Sequence, residues 1–214
     1  MNEHQILFTA PMVRALLDGS KTQTRRIVKP QPKLVTTQWE HAVAGSGVWM
    51  ATGPSEATGG TRQTWGWALC PYGQPGDQLW VRETHRPIFG QTCGLIAVDY
   101  KADPEEKWGR MRDSMGCSKW TPSIHMRREY SRINLQIESV RVERLQDISE
   151  ADARAEGARS LDVATGRETL DPNARHGSYV AHYKHIWQEI NGPLSWAANP
   201  WVWVIDFKRE DLSI

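Results

Sequence analysis

The stretch Ser131-Arg132-Ile133-Asn134-Leu135-Gln136-Ile137-Glu138-Ser139-Val140-Arg141-Val142-Glu143-Arg144-Leu145 decides the fold. Ile133, Leu135 and Ile137 alternate in one phase, as a strand with one buried face requires, and Val140 and Val142 continue in the other. A flip of one residue, with no proline and no long loop, predicts a β-bulge or a sharp bend, the device by which small barrels curve a strand. Toward the C-terminus, Ser149 and Asp152 have the spacing of a capping box and open a short helix that Gly157 closes. Ser178 begins a longer helix with an apolar stripe of Tyr179, Val180, Tyr183, Ile186, Trp187 and Ile190, stopped by Gly192-Pro193. Residues 201–207 are apolar on both faces at their start, as in a strand covered on both sides.

Toward the N-terminus the pattern is strand, helix, strand. Ile6, Leu7 and Phe8 form a short apolar run, and Thr9 and Pro11 supply a helix start. Val13, Leu16 and Leu17 follow at helical spacing, Gly19 is a stop, and residues 22–28 are β-prone. Pro75-Gly76-Asp77 is a turn leading into a strand at 78–84, another strand is expected at 95–100, and 104–115 has the pattern of a helix of mixed polarity. Residues 33–74 are rich in Gly, Ser, Thr and Trp. Within them, 48–51 and 65–69 form an expected inserted hairpin around the turn-forming stretch 53–60. Several strands with short helices between them, and no βαβ repeat, indicate an α+β barrel rather than a doubly wound sheet.

Composition narrows the function classes. A chain of 214 residues fits one domain with insertions and buries a core without disulfides. No apolar run reaches the roughly 20 residues of a membrane span, so no membrane partner is expected. Met1 to Pro11 lacks the basic and long apolar regions of a signal peptide, so a cytoplasmic location is expected. Cys70, Cys93 and Cys117 are odd in number and far apart, which argues against a disulfide framework or a cysteine zinc site. His176, His182 and His185 lack a nearby acid at ligand spacing, and neither a metal nor another cofactor is expected. Net charge is only +1, but residues 1–33 hold six Lys or Arg against two acids, while 145–174 hold seven acids against three arginines. A basic face and an acidic face are both possible on that distribution. The 11 tryptophans either fill a core or offer stacking platforms for bases.

The densest candidate for chemistry is Gly19-Ser20-Lys21-Thr22-Gln23-Thr24-Arg25-Arg26. Arg25 or Arg26 can engage a phosphate bidentately, and a lysine beside a threonine hydroxyl acts as its base if burial lowers the ammonium pKa. The alternative is an exposed basic strand. There is no Walker spacing. Arg82 and Glu83, in the strand after the turn, are either a surface ion pair or a pair lining a cleft.

The order of these motifs resembles the ASCH domain, a relative of the PUA fold. The resemblance rests on an early helix ending in Gly19-Ser20-Lys21-Thr22-Gln23-Thr24-Arg25-Arg26 and on Pro75-Gly76-Asp77 leading into Gln78-Leu79-Trp80-Val81-Arg82-Glu83-Thr84. A later strand feeding a helix that ends at Gly157, and a terminal strand over 200–209, complete the order. It covers most of the chain as a single domain, is weakest at 33–70 and 101–118, which look like insertions, and is closest to phage and prophage members. It implies a small PUA-like β-barrel whose cleft takes RNA or a modified nucleoside. Some members are amidohydrolases that remove the acetyl group of N4-acetylcytidine; their lysine and threonine match Lys21 and Thr24, and their glutamate matches Glu156. On that resemblance Arg25, Arg26, Arg82 and Glu83 are substrate- or nucleic-acid-binding candidates. The competing expectations are a non-catalytic RNA-binding module and a ribonuclease using the same cleft. Glu156 also breaks a local rule, since a carboxylate in the last turn of a helix meets unfavourable carbonyl dipoles unless a cation offsets them.

Overall fold

A computed structural model of the protein describes residues 1–32, 38–41, 48–54, 62–90, 94–104, 119–160 and 178–210. In chain order the elements are β1 (Glu3–Leu7), α1 (Ala10–Leu17), β2 (Gln23–Ile27), β3 (Gln38–His41), β4 (Val48–Pro54) and β5 (Arg62–Leu69). They continue with β6 (Gln78–Arg82), β7 (His85–Gly90), β8 (Gly94–Tyr100), β9 (Asn134–Arg144), α2 (Glu150–Ala155), α3 (Tyr179–Asn191) and β10 (Trp201–Glu210). The protein is α+β, mostly sheet with few helices. The main sheet has the order β1-β6-β9-β10-β2, while β3-β4-β5 and β7-β8 form two smaller sheets. Only β1 and β6 pair in parallel within the main sheet; the other pairs are antiparallel.

The phase flip in the quoted stretch is a bulge. On β9, Ser139 faces Asp206 and Ile137 faces Phe207, so Glu138 is the extra residue and points out exposed. On either side of it Leu135, Ile137 and Val140 stay buried, which is what the change of phase accomplishes. Among the described residues no pairing joins β1 to β2, so the sheet is open at both edges and no closed barrel is present.

β10 explains its own two-sided apolarity. Trp201, Trp203, Ile205 and Phe207 enter a core with Ile6, Leu79, Leu135 and the α1 residues Val13 and Leu16, whereas Val202 and Val204 face Ala153, Tyr183 and Trp187 of α2 and α3. Tryptophans pack within the main core: Trp39 and Trp49 meet Trp201 and Trp203 with ring centroids 6.0–6.4 Å apart, in edge-on or tilted geometry. The expected hairpin is present as β4 and β5, with β3 as a third strand that the sequence pattern did not single out. The same is true of β7, in which Pro87 interrupts strand patterning. The helix expected at 104–115 lies, after Pro104, outside the described residues. No described helix is long and apolar enough to cross a membrane.

Helix ends follow the local chemistry. Asp152 N donates to Ser149 Oγ at 3.0 Å and Ser149 N to Asp152 Oδ2 at 3.3 Å, a reciprocal cap that starts α2. Ser178 Oγ accepts from Ala181 N at the start of α3.

Candidate functional site

The site is assembled by the ends of α1 and α2. After α1, Gly19 takes a left-handed φ of +79° and turns the chain, and Lys21 N donates to Ala15 O at 2.9 Å. The main chain of Lys21 then forms an antiparallel bridge with Glu156, and Thr22 N donates to Ala155 O at 2.8 Å. Gly157 makes this approach possible. Its φ is +84°, and a Cβ there would lie 3.1 Å from Ala15 Cβ and 3.3 Å from Lys21 Cβ. Two residues 135 apart in sequence are thus side by side before any side-chain interaction is counted.

The Lys21 side chain has no solvent exposure. Its ammonium donates to Glu156 Oε2 at 2.7 Å, to Glu156 O at 2.9 Å and to Gln23 O at 2.8 Å, and lies 5.5 Å from the Phe8 ring centre. Burial lowers the Lys21 pKa from its ordinary value, against the raising effect of the Glu156 carboxylate, and Arg25 and Arg26 push it down further. The cation beside Glu156 is the compensation that its position at the α2 C-terminus calls for. Glu156 Oε1, by contrast, has no hydrogen-bond partner among the described residues and stands 3.7 Å from Arg25. Thr24 is fully buried opposite Ile205, and its hydroxyl also lacks a hydrogen-bond partner among the described residues.

Arg25 does not lie on a basic face. Its buried guanidinium donates to Gln23 Oε1 and to Glu143 Oε2 at 3.2 Å, and is 3.4 Å from Asp152 Oδ2. Two basic residues of the first segment therefore meet two acids of the later one inside the protein, Lys21 on Glu156 and Arg25 on Asp152. Arg141 extends this network to Glu143, Asp152 and Asp206. Arg26 is half-buried, donates to Leu7 O at 2.8 Å and covers the Phe8 ring at 5.2 Å.

A cleft of 680 Å³ opens over this network. Phe8, Tyr72, Tyr183 and Trp187 give it aromatic walls, and Arg26 and Glu156 are among its polar residues. Burial and the neighbouring Glu156 carboxylate push the Tyr183 hydroxyl well above its ordinary pKa, so it remains a proton donor. Arg82 and Glu83 are placed elsewhere. Arg82 donates to Gln5 Oε1 and Ile124 O beside the Trp80 ring. Glu83 is buried and receives a bidentate bond from Arg132, at 2.9 and 3.1 Å. Neither lines this cleft, although Thr84, the next residue, does.

His182 Nδ1 accepts from Arg159 N at 2.8 Å, and His185 is exposed beside Glu189. Among the described residues no group of His, Cys, Asp and Glu could hold a metal ion. Sequence reasoning missed Tyr183, Trp187, Tyr72 and Phe8 as cleft walls, because their apolar spacing is that of any core-facing stripe. No family model matches the chain, and no curated protein and no solved structure matches it.

Proposed function

We propose that the chain is an amidohydrolase of the ASCH type that removes an acyl group from a modified cytidine-type base, free or within RNA. The observation that carries this reading is the Lys21–Glu156 pair: an ammonium without solvent exposure, 2.7 Å from a carboxylate that lines a cleft. Thr24 is three residues on, with an unengaged hydroxyl. By strand alternation Thr24 shares the face of β2 that carries Arg26, and both Arg26 and the Lys21 ammonium lie over the Phe8 ring.

In the proposed reaction Lys21 in its neutral form takes the Thr24 proton as Thr24 Oγ bonds to the acyl carbon. The ammonium so formed returns the proton to the exocyclic nitrogen as the C–N bond breaks. Water then attacks the acyl-threonine with Lys21 again as base, releasing the carboxylic acid and restoring the hydroxyl. Burial favours the neutral amine that this cycle needs. A neutral amine carries two protons for three acceptors, which frees a lone pair for Thr24. The aromatic walls suit a planar base, and 680 Å³ lies within the range of small-molecule sites. A PUA-like architecture is what we propose for the main sheet, as a barrel left open between its edges β1 and β2, where the Arg26 side chain bonds Leu7 O.

One observation favours a second reading, a binding module for the same nucleosides or RNA. All three Lys21 ammonium protons have acceptors, as in a permanently charged anchor. Incubation with N4-acetylcytidine and with acetylated RNA separates the two. Release of cytidine and acetate supports the hydrolase, whereas saturable binding without release makes the module the better description.

A further inference from the structure

We propose that Arg25 is a positioning residue for this reaction: its guanidinium, anchored by Gln23, Glu143 and Asp152, fixes the Glu156 carboxylate against the Lys21 amine. The inference rests on the hydrolase reading. It replaces the role that sequence alone suggests for Arg25, since the guanidinium, although Arg25 lines the cleft, is already engaged by two carboxylate anchors.

The geometry brackets one carboxylate between two cations. Lys21 holds Oε2 at 2.7 Å, and Arg25 stands 3.7 Å from Oε1. Arg25 cannot swing away, because its anchors are themselves held. Asp152 receives bonds from the Ser149 hydroxyl at 2.7 Å, from Gln23 at 3.0 Å and from Arg141 at 3.0 Å, and Glu143 receives one from Arg141 at 2.5 Å. The charged and titratable groups facing the pair come from every element packed on it: Arg25 and Arg26 from β2, Arg141 and Glu143 from β9, Asp152 from α2, Tyr183 from α3 and Asp206 from β10. Without Arg25 the carboxylate turns both oxygens to Lys21, and the nearby positive charge is lost as well. Both changes favour the ammonium over the amine, so less of the base is present at a given pH.

Arg25→Gln and Arg25→Lys, assayed for kcat and KM on N4-acetylcytidine from neutral to alkaline pH, test this. The Lys21 amine is titrated in parallel by nitrogen NMR. Arg25→Gln is expected to lower kcat by about 10- to 100-fold with KM unchanged. Its activity profile and the Lys21 titration should both move to higher pH, and Arg25→Lys should restore part of each. A folded Arg25→Gln whose profile and titration stay in place overturns the inference, as does a raised KM with kcat intact, which would mean substrate contact. Should Arg25→Gln fail to fold, the half-exposed anchor variant Glu143→Gln carries the test with a smaller upward movement, and no movement overturns it. A wild-type protein that releases nothing refutes the hydrolase reading instead, and the Lys21 titration still reports whether Arg25 governs the pair.

Discussion

Two buried ionic clusters in this protein are chemically alike and differently finished. In one, Arg132 forks onto both oxygens of Glu83, bonds Asp103 at 2.6 Å and lies 3.9 Å from the Tyr100 ring centre, so both carboxylates are engaged by the same guanidinium. In the other, Lys21, Arg25 and Glu156 are more deeply buried than Arg132, yet Glu156 Oε1, Thr24 Oγ1 and Arg25 Nε have no hydrogen-bond partner among the described residues. Only the second cluster reaches the 680 Å³ cleft. A buried polar group left unpaired costs about 1–3 kcal/mol, and Arg25 and Glu156 carry such atoms where they line the cleft. Saturation marks the structural cluster, and incompleteness marks the functional candidate.

The comparison can be broken most sharply at Thr24. Thr24→Val removes a hydroxyl that bonds nothing, so urea unfolding should be unchanged or improved by up to about 1 kcal/mol, while turnover falls by about 10⁴-fold or more. A Thr24→Val protein with wild-type turnover would remove the nucleophile from the reading. Lys21→Met should lower turnover by about 10²- to 10⁴-fold, the usual range for a general base, and Glu156→Gln should abolish turnover while sparing nucleoside affinity. Lys21 also has a signature in stability. Its folded pKa is depressed, so its burial penalty is full at low pH and is relieved as pH rises from the folded value toward 10.5. Wild-type stability should therefore rise with pH relative to Lys21→Met in that alkaline window. Arg132→Met should do the opposite kind of damage. It takes from Glu83 and Asp103 the guanidinium they share, costing about 1–3 kcal/mol in urea unfolding, and leaves the kcat of the folded fraction unchanged.

Much of the fold was legible because it is written in local chemistry. The phase flip between Ile137 and Val140 marked the bulge at Glu138, Ser149 and Asp152 marked the start of α2, and Gly157 marked its end. What was not legible is non-local. Sequence could count the basic residues of 1–33 and the acids of 145–174, but not that Lys21 and Arg25 pair with Glu156 and Asp152 inside the protein. β7 was hidden by Pro87 and β3 by its four-residue length. The Lys21, Thr24 and Glu156 grouping came only from the resemblance in motif order. The distance that joins Lys21 to Glu156 is set by backbone bonds from Ala15 and Ala155, which no periodicity encodes.

The smallest expected effect lies at Asp152, where the anchoring of Arg25 is read through acid stability. Burial alone would raise the Asp152 pKa. Bonds from Ser149 and Gln23 and the Arg25 charge outweigh it and bring the group from 3.8 to about 2. A carboxyl depressed in the folded state contributes stability that is present above its unfolded pKa of 3.8 and lost as pH falls through about 2. Because Asp152 is partly exposed, solvent screening reduces this to about 1 kcal/mol. Asp152→Asn keeps an acceptor for the Ser149 cap and removes only the charge. The stability difference between wild type and Asp152→Asn, measured by urea unfolding, should therefore shrink by about 1 kcal/mol between neutral pH and pH about 2. A difference that stays constant across that window would mean that the charge of Asp152 does not anchor Arg25, and Glu143 would be left as its only carboxylate support.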